Sequence, residues 1–235
     1  MSRKLLTVLF CVLPAAAQEA PLNFAGLISG TIKGDDGSSI AGAYLSLQLQ
    51  PPYPNSRSVQ TEWTAQTGSD GSFQFDRLNS GSYRLCSYVP HGVWLNPCAW
   101  GLHPPMFTLS GTQPVATVTL TLKKGAAVPI RINDPGQLLS QYESKSPGAD
   151  LLIGVASDSR VFLPALTISR DGGGRNHQIV IPFDSTVNLV VFSPQFQLSS
   201  GGVPLPKASI KIPITVPSGR QPPIVTLQVT GRNTL

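Results

Sequence analysis

The chain has 235 residues, 12% of them charged and 41% hydrophobic, with a formal net charge of +5, 22 glycines and 22 prolines. That density of Gly and Pro breaks long helices, while the hydrophobic residues fall in alternating runs that a disordered chain lacks. The basic residues are scattered, without the stripe that a nucleic-acid partner requires, so no nucleic-acid binding is expected.

Residues 1–17 read as a secretory leader. Arg3 and Lys4 form the charged start, Leu5 to Leu13 the apolar centre, and Ala15-Ala16-Ala17 a cleavage site that leaves Gln18 as the first mature residue. The apolar run is shorter than the roughly 20 residues a membrane-spanning helix needs, and no other stretch is long enough. Cys11 offers a lipoprotein alternative, but Phe10 before it is bulky where such a signal takes a small residue. Losing the leader lowers the net charge to about +3, a mild value. The expected destination is the extracellular space, the periplasm or the cell surface.

Strand signals follow closely. Leu27 to Lys33 alternates and turns at Gly34-Asp35-Asp36-Gly37. Ala43 to Leu49 places Tyr44 on one face and Leu45, Leu47 and Leu49 on the other. Pro51 to Asn55 reads as an extended loop, and Thr61 to Thr67 as a further strand. Ser69-Asp70-Gly71-Ser72 is a hairpin signal, after which Phe73 and Phe75 share a face against Gln74 and Asp76. Asn79-Ser80-Gly81 turns the chain into Tyr83-Arg84-Leu85-Cys86. Val115 to Leu122 alternates strictly, with Val118, Leu120 and Leu122 opposed to Thr117, Thr119 and Thr121. Short strands with turns every 8–12 residues predict a β-sandwich over residues 20–123.

Several of these segments carry a resemblance. Gly30-Thr31-Ile32, Asp36-Gly37, Ile40-Ala41-Gly42-Ala43, Thr67 to Phe73 and Leu78 to Leu85 together look like the carboxypeptidase regulatory-like family of transthyretin-like (prealbumin-like) sandwiches. The matching stretch is about residues 27–89, and its motifs are turn and core residues. The resemblance therefore implies a fold and is nearly silent on function. Enzymes of related architecture carry marks that this sequence lacks. The ring-opening dioxygenases need two Tyr and two His as iron ligands, and no such set is recognisable. The hydroxyisourate-hydrolase relatives end in Tyr-Arg-Gly-Ser, whereas this chain ends Gly231-Arg232-Asn233-Thr234-Leu235. The carboxypeptidases themselves keep zinc and glutamate in a separate catalytic domain.

Lys123-Lys124-Gly125 marks a boundary without a long linker, and residues 126–235 read as a second sandwich. Val128 to Ile132 is a strand. Asp134-Pro135 reads as a cap with Pro at the first position of a short helical turn. Leu151 to Ala156 is a continuous apolar run, expected in the interior of a sheet. Val161 to Ser169 is interrupted by Pro164, Asp171 to Asn176 is a turn, and His177 to Pro182 and Val187 to Phe192 form a hairpin-like pair about Asp184-Ser185. Ile210 to Val216 and Ile224 to Val229 are the last strands. The order of turns echoes the first module, as a diverged internal repeat would.

Little chemistry is legible. There is no G-x-S-x-G elbow. His91 and His103 lack an evident third metal ligand, and Asp35-Asp36-Gly37 and Asp171-Gly172-Gly173-Gly174 lack the further acids that a calcium site wants. No enzyme activity, metal or cofactor is expected. Cys86 and Cys98 remain after the leader is lost, an even pair bound for an oxidising compartment, so a disulfide is expected, with two buried thiols as the alternative. Within and beside that loop, Tyr88, His91, Trp94, Asn96 and Trp100 form the candidate ligand-binding set, with Tyr53 and Trp63 expected nearby. Aromatic faces with amide and imidazole groups suit a sugar or a peptide. The alternative role of the two tryptophans is to cover the end of the sandwich or the join between modules. The sequence thus points to an exported interaction or structural module with an unknown protein or glycan partner, and alternatively to a carbohydrate-binding protein using the aromatic loop.

Overall fold

The computed structural model describes residues 25–50, 62–139, 151–156, 162–206 and 210–233. The leader, its cleavage site and Tyr53 lie outside them. The protein is all-β, with two sandwiches in tandem. The first holds β1 (Gly26–Gly34), β2 (Tyr44–Gln50), β3 (Glu62–Gln66), β4 (Ser72–Leu78), β5 (Gly81–Tyr88), β6 (Met106–Leu109) and β7 (Val115–Leu122). The second holds β8 (Ala126–Asn133), β9 (Leu152–Ala156), β10 (Phe162–Pro164), β11 (Leu166–Asp171), β12 (Gly174–Ile181), β13 (Thr186–Phe192), β14 (Phe196–Ser200), β15 (Val203–Pro204), β16 (Ile210–Thr215) and β17 (Val225–Arg232).

In the first sandwich the sheet β4-β1-β7 faces the sheet β3-β2-β5-β6. Period-2 alternation sends Ile28 and Ile32, Leu45 and Leu47, Phe73 and Phe75, and Tyr83 and Leu85 into one shared core. Tyr83 is fully enclosed, yet its hydroxyl donates to the Asn79 carbonyl at 2.7 Å, so its polar end is satisfied. At the β4 hairpin, Gly71 has a φ of 78°, which glycine adopts without steric cost, and Asp70 Oδ1 accepts the Ser72 N–H at 3.0 Å. The sequence reading missed β6, a four-residue strand directly after Pro104-Pro105.

The second sandwich sets the sheet β11-β12-β8-β17-β14-β15 against the sheet β10-β9-β13-β16. Its connectivity repeats that of the first. In each, the opening strand lies beside an antiparallel neighbour (β4 or β12) and pairs parallel with the closing strand (β7 or β17). In each, the second strand lies between the third and the strand that follows that neighbour: β3-β2-β5 in one, β10-β9-β13 in the other. The second sandwich adds β11, β14 and β15 to this plan.

Three details depart from the sequence reading. β12 and β13 lie in different sheets, so the Asp184 turn is a crossover and not a hairpin. The turn between β11 and β12 is only Gly172-Gly173, since the strands extend to Asp171 and from Gly174. Pro135 sits in a turn closed by Gln137 N–H to Asp134 C=O at 3.0 Å, and helical backbone begins at Leu138. The buried Asp134 carboxylate nevertheless caps, accepting the Leu138 and Leu139 N–H groups at 3.0 and 2.8 Å. Among the described residues no helix is long and apolar enough to cross a membrane.

Candidate functional site at the junction of the sandwiches

β5 ends at Tyr88 and the chain turns sharply, with Gly92 N–H bonded to Val89 C=O at 3.3 Å and His91 at a φ of 55°. It then runs beside the link between the sandwiches. Gly125 N–H donates to Val93 C=O at 2.7 Å, and Leu95 N–H donates to Lys123 C=O at 2.9 Å. The link is therefore hydrogen-bonded to the loop on both sides of Lys124. A side chain on Gly125 would press on Leu95 and Val180, which shows how tightly the sandwiches meet there.

Asn96-Pro97 then starts a helical turn for a local reason. Asn96 Oδ1 accepts the Cys98 and Ala99 N–H groups at 3.0 and 3.3 Å, as an N-cap does, and Pro97 occupies the position where a missing N–H costs nothing. Asn96 C=O accepts Trp100 N–H at 3.1 Å, continuing the turn. Cys86 and Cys98 form the expected disulfide, with their Cα atoms 5.5 Å apart.

The two tryptophans face opposite ways. Trp94 packs against the first core, its ring over Gly34 and 5.3 Å from the Lys124 ammonium, a cation–π contact. Lys124 Nζ also donates to Asp36 Oδ2 at 2.7 Å, and Lys124 N–H to Asp35 Oδ2 at 3.1 Å. The Lys124 ammonium, with the Ser38 hydroxyl and N–H, holds the Asp36 carboxyl well below the usual carboxylate range. Trp100, with Leu95 and Ala99, belongs to the core of the second sandwich and is 9% exposed.

Between the loop and the second sandwich lies a cleft of about 410 Å³. All five candidate residues, Tyr88, His91, Trp94, Asn96 and Trp100, line it. The opposite wall is Leu163, Pro164, Leu166, Gln178, Ile179 and Val180, from β10, β11 and β12. Sequence reasoning did not find this wall. Pro164 interrupted the Val161–Ser169 run, but nothing local says which loop that segment meets. Tyr88 is 42% exposed and stands opposite Tyr44 across the β2–β5 ladder; its partial burial pushes the phenol above its ordinary value. Trp63 is not part of the site, because it packs edge-on to Tyr83 at 5.6 Å in the first core.

The histidines are dispersed. His91 is on the cleft rim, His103 is exposed outside it, and His177 is buried in the second sandwich beside Thr167. Among the described residues no three His, Cys, Asp or Glu side chains converge on a point that would hold a metal. The acids of the two turns considered above are engaged by protein donors: Asp35 and Asp36 by Lys124, and Asp171 by Arg131 in a two-pronged pair at 2.6 and 2.9 Å.

No family model and no curated protein matches this sequence. Among solved structures, a streptococcal ancillary pilin aligns over 90% of this chain and 63% of its own, at 12% identity and a TM-score of 0.42. The minor pilin of Streptococcus agalactiae aligns over 89% and 98%, at 12% identity and 0.39, and a shaft pilin of Lactobacillus rhamnosus GG over 90% and 99%, at 10% identity and 0.34. This chain thus spans less than two thirds of the streptococcal ancillary pilin. At these scores the likeness is one of outline, and the fold assignment rests on the strand pairings themselves.

Proposed function

We propose that the protein is an exported, non-catalytic interaction module of the cell surface or extracellular space, with its partner bound in the junction cleft. It would consist of two domains, residues 20–123 and 126–235, the second a diverged repeat of the first, released by cleavage after Ala17. The supporting observation is the convergence on one cleft of a disulfide-held aromatic loop and the apolar edge of the second sandwich. Binding residues on loops held by a rigid scaffold need little ordering when a ligand arrives.

The lining favours an apolar side chain on a protein partner. Aliphatic groups form most of one wall, and His91 and Gln178 supply sparse polar contacts. A sugar needs an open aromatic face. Trp100 is buried in a core, and Trp94 already holds Lys124 over its ring. The glycan reading rests instead on Tyr88, the more exposed aromatic of the set.

Parallel panning of a displayed peptide library and a glycan array on the mature chain tests this. Peptides with bulky apolar residues are expected to bind, and Leu166→Asp to abolish that binding. Glycan binding that Tyr88→Ala removes would overturn the peptide reading in favour of the sugar. Binding in neither arm would overturn the cleft's role altogether.

A further inference from the structure

Sheet edges offer unpaired backbone to other strands, and folded proteins usually blunt them with charge, proline, bulges or brevity. Most edges here are blunted. β3 begins with Glu62, β4 carries Asp76 and Arg77 and a shifted register, and β6 has four residues. β10 ends at Pro164, β11 carries Arg170, Asp171 and a register shift, β15 has two residues, and β16 contains Lys211 and Pro213.

β7 is different. Val115–Leu122 is eight residues without charge or proline, and it pairs with β1 in an unbroken parallel register. Leu27 N–H bonds to Pro114 C=O and Asp35 N–H to Leu122 C=O, both at 2.9 Å, which fixes the parity. Even-numbered residues bond to β1, and Val115, Thr117, Thr119 and Thr121 aim their N–H and C=O groups outward. Among the described residues no strand pairs with that side. Ala116 and Val118 face the core yet are only half-buried, as expected where a neighbouring strand is lacking.

The molecule itself shows what such an edge accepts. β17 holds the position in the second sandwich that β7 holds in the first, and its outer side carries β14, antiparallel. Among the described residues the first sandwich has no counterpart of β14.

We propose that β7 pairs antiparallel with β7 of a second copy of this chain, about a two-fold axis through Thr119. That register is self-complementary. Thr119 meets Thr119 and Thr117 meets Thr121, each with outward backbone groups, so each pair exchanges both of its hydrogen bonds. Val118 meets Leu120 on the core side, extending both cores, and no charge opposes a like charge. Such an isologous contact closes on itself and stops at a dimer. It is independent of the junction cleft.

Sedimentation of the mature chain from micromolar to sub-millimolar concentration tests the pairing. The wild type is expected to dimerise reversibly, and Thr119→Lys, which sets two ammonium groups opposite each other, to remain monomeric with unchanged melting. Thr119 is exposed on the solvent face, where its hydroxyl meets that of Thr31 at 3.4 Å, so this variant folds. Under oxidation Thr119→Cys is expected to give a covalent dimer and Thr117→Cys none, because residue 117 faces Thr121. A wild type that stays monomeric, a Thr119→Lys dimer, or cross-linking through position 117 would each overturn the proposal.

Discussion

Cys86 and Cys98 join a strand of the first sandwich to a plug in the second. Cys86 lies in β5, while Cys98 sits beside Leu95, Ala99 and Trp100, which pack with Val128, Ile130 and Leu189. The second core is thus completed by residues that precede its first strand, and the bond holds them in place.

The double substitution Cys86→Ser with Cys98→Ser is expected to cost about 3 kcal/mol, from the conformational freedom regained by the loop. The loss should fall on the second sandwich, whose core the loop completes. Calorimetry of the intact chain would show that transition shifted down and separated from the first. One transition at an unchanged temperature would contradict the role given to the bond.

Trp100→Ala removes a large buried side chain and is expected to cost about 3–5 kcal/mol. Trp94→Ala empties a half-buried site and should cost less, about 1–2 kcal/mol. Denaturant titration separates the two. Equal losses would mean that Trp94 and Trp100 share one environment, against the two cores found here.

Gly34 is small for a steric reason. A Cβ there would run into the six-membered ring of Trp94 and come within 2.6 Å of Asp36 Oδ1. Gly34→Ala should therefore lift Trp94 away from Lys124 and open the cleft wall, at a cost of about 1–3 kcal/mol. Tryptophan fluorescence is the measurement, with a red shift expected in the folded state. An emission maximum identical to that of the wild type would refute the contact.

The sequence exposed the fold where side chains alternate. Phe73 and Phe75 against Gln74 and Asp76 could only be a half-buried strand, and Pro164 split an apolar run because it supplies no N–H to a ladder. β6 and β15 escaped because four and two residues are too few to show a period, and β14 because the buried Ser199 breaks the apolar alternation of Phe196 and Leu198. The β12–β13 crossover escaped because an Asp turn looks the same whether the chain stays in its sheet or changes sheets. At the site, loop composition and the cysteine pair marked Tyr88, His91, Trp94, Asn96 and Trp100. The division of labour among them was hidden, since Asn96 acts as a cap and Trp100 as a core residue through contacts distant in sequence. The wall from β10 to β12 had no local signal at all.

Acid should weaken the protein in a defined window. The Arg131 guanidinium and then the Gly173 N–H hold the Asp171 carboxyl at about 2, against an ordinary 3.8. Asp36, Asp70 and Asp184 are also shifted down, chiefly by hydrogen bonds from Lys124, Ser72 and Ser218. A group depressed on folding contributes stability that is fully present above its unfolded value and is lost as pH falls through the folded one. For Asp171 that window runs from about 3.8 down to about 2. The melting temperature is expected to be level above about pH 5 and to fall below it, as the unfolded chain takes up protons first. Asp171→Asn should flatten part of that fall while changing little at pH 7, because the pair is solvent-exposed and worth little there. A variant whose melting profile parallels the wild type between pH 4 and 2 would show that the Arg131–Asp171 pair, which ties the Gly172-Gly173 hairpin to β8, does not persist in solution.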